Sequence, residues 1–262
     1  MNIHFSKYQG TGNDFILLDN RQNEYDELSN AQVRFMCDRH FGIGADGLML
    51  LNNSDGFDFH FEMKYYNSDG NESSMCGNGG RCIAAFAKSL GIITTDAKFM
   101  AIDGAHEAVI DEHGIVKLHM TDVNKVQVNE TYTELNTGSP HYVHFTEYVQ
   151  EMDMKKEGRL IRYSPRYKDE GINVNFVEIL ADHSIFVRTY ERGVEDETLS
   201  CGTGVTAAAI AARVKETGPQ QVTVKTLGGE LEVFFTIEDS HTVHSVQLCG
   251  KAEFVFKGEM IL

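Results

Sequence analysis

Met75-Cys76-Gly77-Asn78-Gly79-Gly80-Arg81-Cys82 is the stretch that decides how the rest of the chain is interpreted. It leads into residues 80–90, whose apolar side chains recur at helical spacing, and Gly91 ends this predicted helix. A cysteine just before a helix lies where unpaired backbone N–H groups and the positive end of the helix dipole stabilise a thiolate. The stretch therefore predicts a reactive thiol at the N-terminus of a helix.

The same construction occurs again as Ser200-Cys201-Gly202-Thr203-Gly204-Val205, which leads into a second predicted helix at 204–215. This helix is alanine-rich and apolar on nearly every side, so we expect it to be buried. The second cysteine lies 125 residues after the first (201 minus 76), and Gly104 and Gly229 each lie 28 residues after their cysteine. The matching offsets indicate an internal duplication, which predicts two like domains rather than a solenoid.

Composition narrows the classes of partner. The net charge is −16 and no basic run is present, which argues against nucleic acid or an anionic membrane surface. No apolar run approaches the length of a membrane span and the N-terminus shows no signal-peptide pattern, so we expect a cytoplasmic protein. Five cysteines are an odd and low number, typical of reduced thiols in a cytosol.

Strand-like alternation recurs along both halves of the chain. In the first half, strands are expected at 3–7, 15–19, 48–51, 57–65, 98–102, 105–110 and 115–120. A helix capped by Ser29 is expected to carry Val33, Met36, Cys37 and His40 on one face and to end at Gly42. In the second half, strands are expected at 142–146, 174–180, 184–191, 221–226, 230–237 and 242–248, and the loops 67–75 and 192–200 deliver the two cysteines. Mostly strands with one buried helix per half predicts an α+β fold.

The five cysteines allow several interpretations. Burial in the core is the usual environment of an unmodified cysteine, and we expect it for Cys37, Cys82 and Cys249. Metal binding is disfavoured at Cys76 and Cys201, because the chain has neither a C-x-x-C nor an H-E-x-x-H motif. A nucleophilic thiol needs only one cysteine and a base, so it leaves the duplication unexplained.

Inversion of a carbon stereocentre does use two equivalent groups. One base removes a proton from one face of the carbon, and an acid returns a proton to the other face. The pKa of a thiol, about 8.5, falls to roughly 3.5–7.5 at a helix N-terminus, so one thiol can be ionised while its partner is not. The backbone N–H groups of Gly77-Asn78 and Gly202-Thr203 would stabilise the carbanion.

The chain resembles the diaminopimelate epimerase family over its whole length. The motifs that carry the resemblance are Gly12-Asn13-Asp14-Phe15, Asn67-Ser68-Asp69-Gly70, Glu191-Arg192-Gly193 and the two cysteine motifs. The resemblance implies an isomerase of lysine and peptidoglycan-precursor biosynthesis that interconverts LL- and meso-2,6-diaminopimelate. It implies that Cys76 and Cys201 are the acid–base pair, that no pyridoxal phosphate, metal or other cofactor takes part, and that the enzyme is a homodimer.

The resemblance also implies the architecture and the substrate contacts. Two pseudo-symmetric α+β domains are expected, each a strand-rich, barrel-like sheet around a central helix. Residues 1–118 with 250–262 would form the N-terminal domain carrying Cys76, and residues 119–249 the C-terminal domain carrying Cys201. The implied substrate contacts are Asn13, Asn67, Gly77, Asn78, Asn173, Glu191, Arg192, Gly202 and Thr203. His141 and Glu191 are implied to tune the pKa of a thiol.

The chain departs from the family at three places. Ser139 stands where the family usually has a substrate-binding asparagine, and Gly47 stands where some members use glutamine. The loop 193–200 is one residue longer than the commonest family spacing. The longer loop leaves the assignment of Cys201 unchanged.

The residues alone, without the family resemblance, leave other interpretations of the site and other functions possible. Asn13 and Asn67 are usual in turns, Glu191-Arg192 is compatible with a solvated pair, and a histidine in a turn is ordinary. A proline or hydroxyproline racemase is one alternative, although such enzymes usually carry a histidine at the position of Asn78. A non-catalytic bilobal amino-acid-binding protein or a thiol sensor is another, and a sensor needs neither Arg192 nor the asparagines.

Overall fold

The computed structural model describes residues 1–54, 56, 58–239 and 241–262. The chain divides into two compact units, Met1–Leu118 with Lys251–Leu262, and His119–Gly250. Within the described ranges, no helix has the length and apolarity that crossing a membrane requires. Each unit combines one extended sheet with a long helix, and this confirms the predicted α+β fold.

The elements of the first unit surround the first cysteine motif. Along residues 1–119 they are β1 (Asn2–Gly10), β2 (Asn13–Asp19), α1 (Asn30–Cys37), β3 (Gly47–Asn52), β4 (Phe61–Asn67), β5 (Glu72–Ser73), α2 (Gly77–Ser89), β6 (Asp96–Ala101), β7 (Gly104–Ile110) and β8 (Ile115–His119).

The elements of the second unit follow in a similar order. They are β9 (Val126–Val128), β10 (Thr133–Asn136), β11 (Pro140–Phe145), a 3-10 turn (Val149–Glu151), α3 (Met154–Arg162), β12 (Asn173–Ile179), β13 (Ile185–Glu191), β14 (Asp196–Thr198), α4 (Gly202–Arg213), β15 (Gly218–Thr226), β16 (Gly229–Ile237) and β17 (Val243–Lys251). The last strand, β18 (Glu253–Ile261), returns to the first unit and pairs antiparallel with β1.

The two units repeat one pattern of strand pairing. The first follows the order β18-β1-β2-β3-β4-β6-β7-β8, with β2–β3 and β4–β6 parallel and the other pairs antiparallel. The second follows β9-β10-β11-β12-β13-β15-β16-β17, with β11–β12 and β13–β15 parallel. The short strands β5 and β14, each just before a cysteine motif, add to β4 and β13. This equivalence is the structural counterpart of the duplication predicted from the sequence.

A long helix lies inside each sheet. Helix α2 packs against β1, β2, β3 and β7, and α4 packs against strands from β10 to β16, so each sheet curves around its helix. In α4 nearly every residue from Gly202 to Ala211 is buried, as predicted, because its alanine side chains let strands approach from all sides. Helix α1 covers the outside of the first sheet, where Val33 and Met36 pack with Leu48.

Several predicted elements have limits that differ from those expected, among them the helix after Ser29 and the strand predicted over 57–65. The helix capped by Ser29 ends at Cys37 rather than Gly42, because the Asp38 carboxylate accepts hydrogen bonds from the N–H groups of His40 and Phe41 at 2.7 and 2.9 Å. His40 is therefore exposed and outside the helix. The strand predicted over 57–65 begins only at Phe61; its first predicted residue, Phe57, lies outside the described residues.

Candidate active site

Cys76 caps the N-terminus of α2. Its backbone is extended (φ −106°, ψ 151°), and its Sγ accepts a hydrogen bond from the N–H of Gly79 at 3.2 Å. The helix therefore begins at Gly77, three residues before the start predicted from the sequence. A Cβ added to Gly79 would lie 3.2 Å from this sulfur and 3.1 Å from Cε of Met49, so glycine lets the first turn close around the thiol. This arrangement favours the thiolate.

A chain of hydrogen bonds holds the predicted residues Asn13 and Asn78 beside Cys76. Oδ1 of Asn13 lies 4.0 Å from the cysteine sulfur and accepts a hydrogen bond from Nδ2 of Asn78 at 3.2 Å. Nδ2 of Asn13 donates to Asp46 at 2.6 Å, and Oδ1 of Asn78 accepts from Arg81 at 3.1 Å. The structure thus adds Asp46 and Arg81, which sequence reasoning missed, to the surroundings of the first thiol.

Arg81 is fully buried within the first unit. Its guanidinium also donates to the carbonyl of Gly77 at 3.3 Å and to Oγ1 of Thr11 at 2.8 Å. Through its hydrogen bond to Oδ1 of Asn78, Arg81 therefore fixes the orientation of the amide that lies beside the thiol. The signal available in the sequence was an arginine next to the apolar stripe of the predicted helix.

A second charged network supports the turn that carries Asn13. Burial alone would raise the pKa of Asp14, but hydrogen bonds and positive charge from Arg39 and Lys7 hold it well below its usual range. Arg39 also donates to Asp46, the partner of Asn13, at 2.7 Å. The carboxylate of Asp14 is therefore ionised at neutral pH, and Arg39 holds both Asp14 and Asp46 in place behind Asn13.

Asn67 lies at the same end of the sheet as Asn13. Phe15 of β2 pairs with Gly47 of β3, and Gly47 pairs with Asn67 of β4. Asn67 is exposed there. A Cβ on Gly47 would lie 2.5 Å from Cε2 of Tyr65 and 2.7 Å from the carbonyl oxygen of Tyr66, so this backbone excludes the glutamine found in some family members.

Cys201 caps helix α4 in the second unit. The helix begins at Gly202 rather than at the predicted Gly204. Its Sγ lies 3.4 Å from Oγ1 of Thr203, within reach of a hydrogen bond. The carbonyl of Thr203 accepts a hydrogen bond from Thr137 at 2.8 Å, which anchors this turn. Cys201 is buried, with 7 % of its surface exposed, whereas Cys76 is partly exposed.

Asn173, Arg192 and Ser139 form one hydrogen-bonded group. Oδ1 of Asn173 accepts from the backbone N–H of Arg192 at 2.8 Å, and its Nδ2 donates to Oγ of Ser139 at 2.9 Å. The Arg192 guanidinium donates to the same Oγ at 3.3 Å and to the carbonyl of Glu170 at 3.1 Å. Ser139, the departure from the family pattern, is therefore held between two predicted substrate contacts.

Glu191 and His141 occupy different surroundings in the same unit. Glu191, at the end of β13, accepts a hydrogen bond from Thr198 of β14 at 3.0 Å. His141 is fully buried, with Nδ1 3.1 Å from Nδ2 of Asn175. Burial and the nearby charge of Arg192 lower the pKa of His141 to about 3, so the ring is neutral.

Each unit thus gathers part of the predicted site around its own cysteine. Asn13, Asn78 and Gly77 surround Cys76, while Thr203 contacts Cys201. Asn173 and Arg192 form a separate group in the second unit. No cluster of three or more His, Cys, Asp or Glu side chains able to hold a metal ion occurs in the part of the chain that the structure describes.

Comparison with known proteins identifies the family. The model of the diaminopimelate epimerase family matches residues 5–128 and 133–255. A diaminopimelate epimerase of Flavobacterium psychrophilum is 52 % identical over 252 residues, covering 96 % of this chain and 97 % of that protein. A diaminopimelate epimerase of Aquifex aeolicus is 38 % identical and covers 98 % of both chains.

Solved structures with little sequence similarity share the fold. A phenazine biosynthesis protein of the PhzF family from Bacillus anthracis matches with a TM-score of 0.74 at 13 % identity over 100 % of both chains. A hydroxyproline epimerase from Agrobacterium vitis matches with a TM-score of 0.71 at 12 % identity, covering 98 % of this chain and 92 % of that one. These likenesses concern architecture alone, whereas the sequence matches run through both cysteine motifs. The chain belongs to the diaminopimelate epimerase family, a family of isomerases.

Proposed function

We propose that this protein interconverts LL- and meso-2,6-diaminopimelate by proton transfer at the α-carbon, in the synthesis of lysine and peptidoglycan precursors. One observation carries the proposal: each of the two equivalent units has a cysteine at the N-terminus of its central helix. Cys76 and Cys201 act as the acid–base pair, and we infer that no cofactor takes part.

The chemistry needs only the two thiols and the groups beside them. One thiolate removes the α-proton, and the electron pair left on carbon is delocalised into the adjacent carboxylate. The other thiol donates a proton to the opposite face and becomes the thiolate for the reverse reaction. Backbone N–H groups at Gly77-Asn78 and Gly202-Thr203, at the positive ends of α2 and α4, stabilise the developing charge.

The remaining predicted residues recognise the substrate. The Arg192 guanidinium binds a carboxylate through two parallel hydrogen bonds, and Glu191 accepts a hydrogen bond from an ammonium group. Asn13, Asn67, Asn78 and Asn173 supply further hydrogen bonds. The existing hydrogen bonds of Asn13 and Asn173 support these roles, because they hold both side chains in place before substrate binds.

The test follows the α-proton in deuterium oxide, with metal-free and pyridoxal-free protein. The wild type should epimerise diaminopimelate and incorporate solvent deuterium. Cys76→Ala and Cys201→Ala should each abolish epimerisation, and any remaining slow exchange should be confined to one isomer, with opposite preference in the two variants. Cys37→Ala, at the buried cysteine that ends α1, is the matched control and should retain epimerisation.

Three results would contradict the proposal. Epimerisation by Cys201→Ala at a rate near that of the wild type would show that one base suffices. Racemisation of proline or hydroxyproline without any action on diaminopimelate would indicate the alternative racemase activity. The absence of any α-proton exchange in the wild type would favour a binding protein or a thiol sensor.

We further infer a homodimer in the cytoplasm. On β18, three consecutive apolar side chains are exposed: Phe254 (53 %), Val255 (51 %) and Phe256 (44 %). Apolar residues gathered on one surface strand are typical of a subunit interface, and two copies related by a two-fold axis would each cover the other's strand. The low and odd number of cysteines in the sequence supports a reducing compartment.

A further inference from the structure

Three polar side chains are buried together beneath the first turn of α4. Asn175 of β12 lies directly opposite Thr189 of β13, and His141 lies on the neighbouring strand β11. Their exposed fractions are 0 %, 3 % and 0 %. A Cβ on Gly204 would lie only 2.5 Å from Oδ1 of Asn175, so the helix that Cys201 caps rests directly on this group.

The orientation of the Asn175 amide is fixed by its neighbours. Nδ2 lies 3.0 Å from the backbone carbonyl oxygen of Tyr142, which can only accept a hydrogen bond. Oδ1 lies 2.9 Å from the hydroxyl of Thr189, which donates to it. Turning the amide over would place two oxygen atoms face to face at the Tyr142 carbonyl, so Nδ2 is the atom that faces His141.

This orientation determines where His141 carries its proton. Nδ2 of Asn175 can only donate, so Nδ1 of His141, 3.1 Å away, must accept. A neutral ring that accepts at Nδ1 carries its proton on Nε2. Burial and the charge of Arg192 lower the pKa of His141 to about 3, which keeps the ring neutral.

The proton on Nε2 has no acceptor within the described chain. Nε2 is fully buried and lacks a hydrogen-bond partner among residues 1–54, 56, 58–239 and 241–262. Leaving a buried donor unpaired is costly, and an acceptor that arrives during function explains why the protein keeps one here. A ring with Nδ1 already occupied and a proton on Nε2 also cannot serve as a base.

We propose that Asn175 is a positioning residue that holds His141 as the neutral Nε2–H tautomer, so that the ring donates a hydrogen bond to an anion formed or bound at the N-terminus of α4. The anion is either the Cys201 thiolate or a carboxylate of bound substrate. The inference rests on the proposed function for its catalytic meaning, but the tautomer itself is measurable without turnover.

The first experiment needs no variant. Full-length protein labelled with ¹⁵N-histidine is measured by NMR at neutral pH without ligand. His141, assigned by comparison with His141→Gln, should show Nδ1 unprotonated and Nε2 protonated. A proton on Nδ1 would overturn the proposal, whether or not the protein epimerises diaminopimelate.

The second experiment changes the residue that sets the tautomer. In Asn175→Asp the carboxylate can only accept, so it draws the proton to Nδ1, and kcat should fall about tenfold or more with the new tautomer visible by NMR. Thr189→Val is the matched control: it removes a hydrogen bond from the same group but leaves the Tyr142 carbonyl to orient the amide, so the tautomer should not change. Wild-type kcat in Asn175→Asp with a changed tautomer would overturn the catalytic role.

The source of the anion is distinguished by the Nε2–H resonance. A shift that follows pH in unliganded wild type but is absent in Cys201→Ala assigns the thiolate. A shift on addition of diaminopimelate assigns the carboxylate. No shift in either arm would contradict the proposal.

Discussion

Arg192 is oriented by contacts on both sides of its guanidinium. One nitrogen donates to Ser139 and another to the carbonyl of Glu170, while the backbone N–H is held by Asn173. The side chain is exposed, yet these contacts already fix the orientation of its planar guanidinium group. An arginine arranged in this way is suited to bidentate binding of a carboxylate, which a lysine ammonium cannot reproduce.

We therefore predict that Arg192→Lys lowers kcat/KM for diaminopimelate by about 10- to 100-fold, mainly through KM, because one charge-assisted hydrogen bond is lost. Steady-state kinetics measures this effect. Arg166→Lys is the control, since Arg166 pairs with Glu134 on the surface of the same unit and should leave the kinetics unchanged. Unchanged kcat/KM in Arg192→Lys would remove this residue from the site.

The residues that could be predicted from sequence are those in local motifs. Cys76, Asn78, Cys201 and Thr203 stand beside recognisable helix starts, so their neighbours along the chain reveal them. Asp46 contacts Asn13 across 33 residues, and Asn175 contacts His141 across 34. Such partners are brought together only by strand register, which no local pattern contains.

The first turn of α2 contains two neighbouring glycines with different surroundings. A Cβ on Gly79 would press on the sulfur of Cys76, whereas a Cβ on Gly80 would lie 2.8 Å from Sδ of Met75 and 2.9 Å from Cδ2 of Leu118. We predict that Gly79→Ala lowers kcat about tenfold or more at modest cost in stability, because a small displacement of a reacting atom is expensive.

Gly80→Ala serves as the matched control and should lower the free energy of unfolding by about 1–3 kcal/mol with a smaller effect on kcat, because it overpacks the core without touching the sulfur. Chemical denaturation and steady-state kinetics on both variants separate the two effects. Equal loss of kcat in the two would mean that the turn responds as a whole and that contact with the sulfur is not the cause.

Helix α3 was not predicted from the sequence, because tertiary packing overrides the local conformational preference there. Helix α3 contains Gly158 at its centre, which favours a break when only the sequence is considered. In the structure, a Cβ at this position would lie 2.4 Å from Cβ of Tyr190, so glycine is required for the helix to pack on β13. The three-residue strands β9 and β14 are too short to show a period.

At the scale of the whole molecule, the exposed apolar strand gives a test of assembly. Phe254→Glu should be monomeric in sedimentation velocity, where the wild type should sediment as the proposed dimer, because the substitution places a charge in the proposed interface. Leu160→Glu, at a residue 62 % exposed on α3, should leave the dimer intact. A monomeric wild type would contradict the proposal. Thermal unfolding checks that Phe254→Glu keeps its fold despite losing the ring contact with Tyr8.

The duplication could be predicted from the spacing of cysteines and glycines because it preserved both helix starts. The order and direction of strand pairing repeat between the units, although the connections differ in length. The pairing of β18 with β1 could not be derived from the residues alone, since the alternation in 252–262 fits an edge of either sheet. The resemblance to the family supplied that expectation.

The pairing of β1 with β18 also affects the order in which the two units can complete their folding during translation. Every residue of the second unit is synthesised before β18, so that unit has its full sequence while the first still lacks a strand. Domains generally fold in the order of synthesis, yet here the earlier one waits for the later one. We therefore expect the backbone of β1 to present an unpaired edge to other nascent chains until β18 has been synthesised.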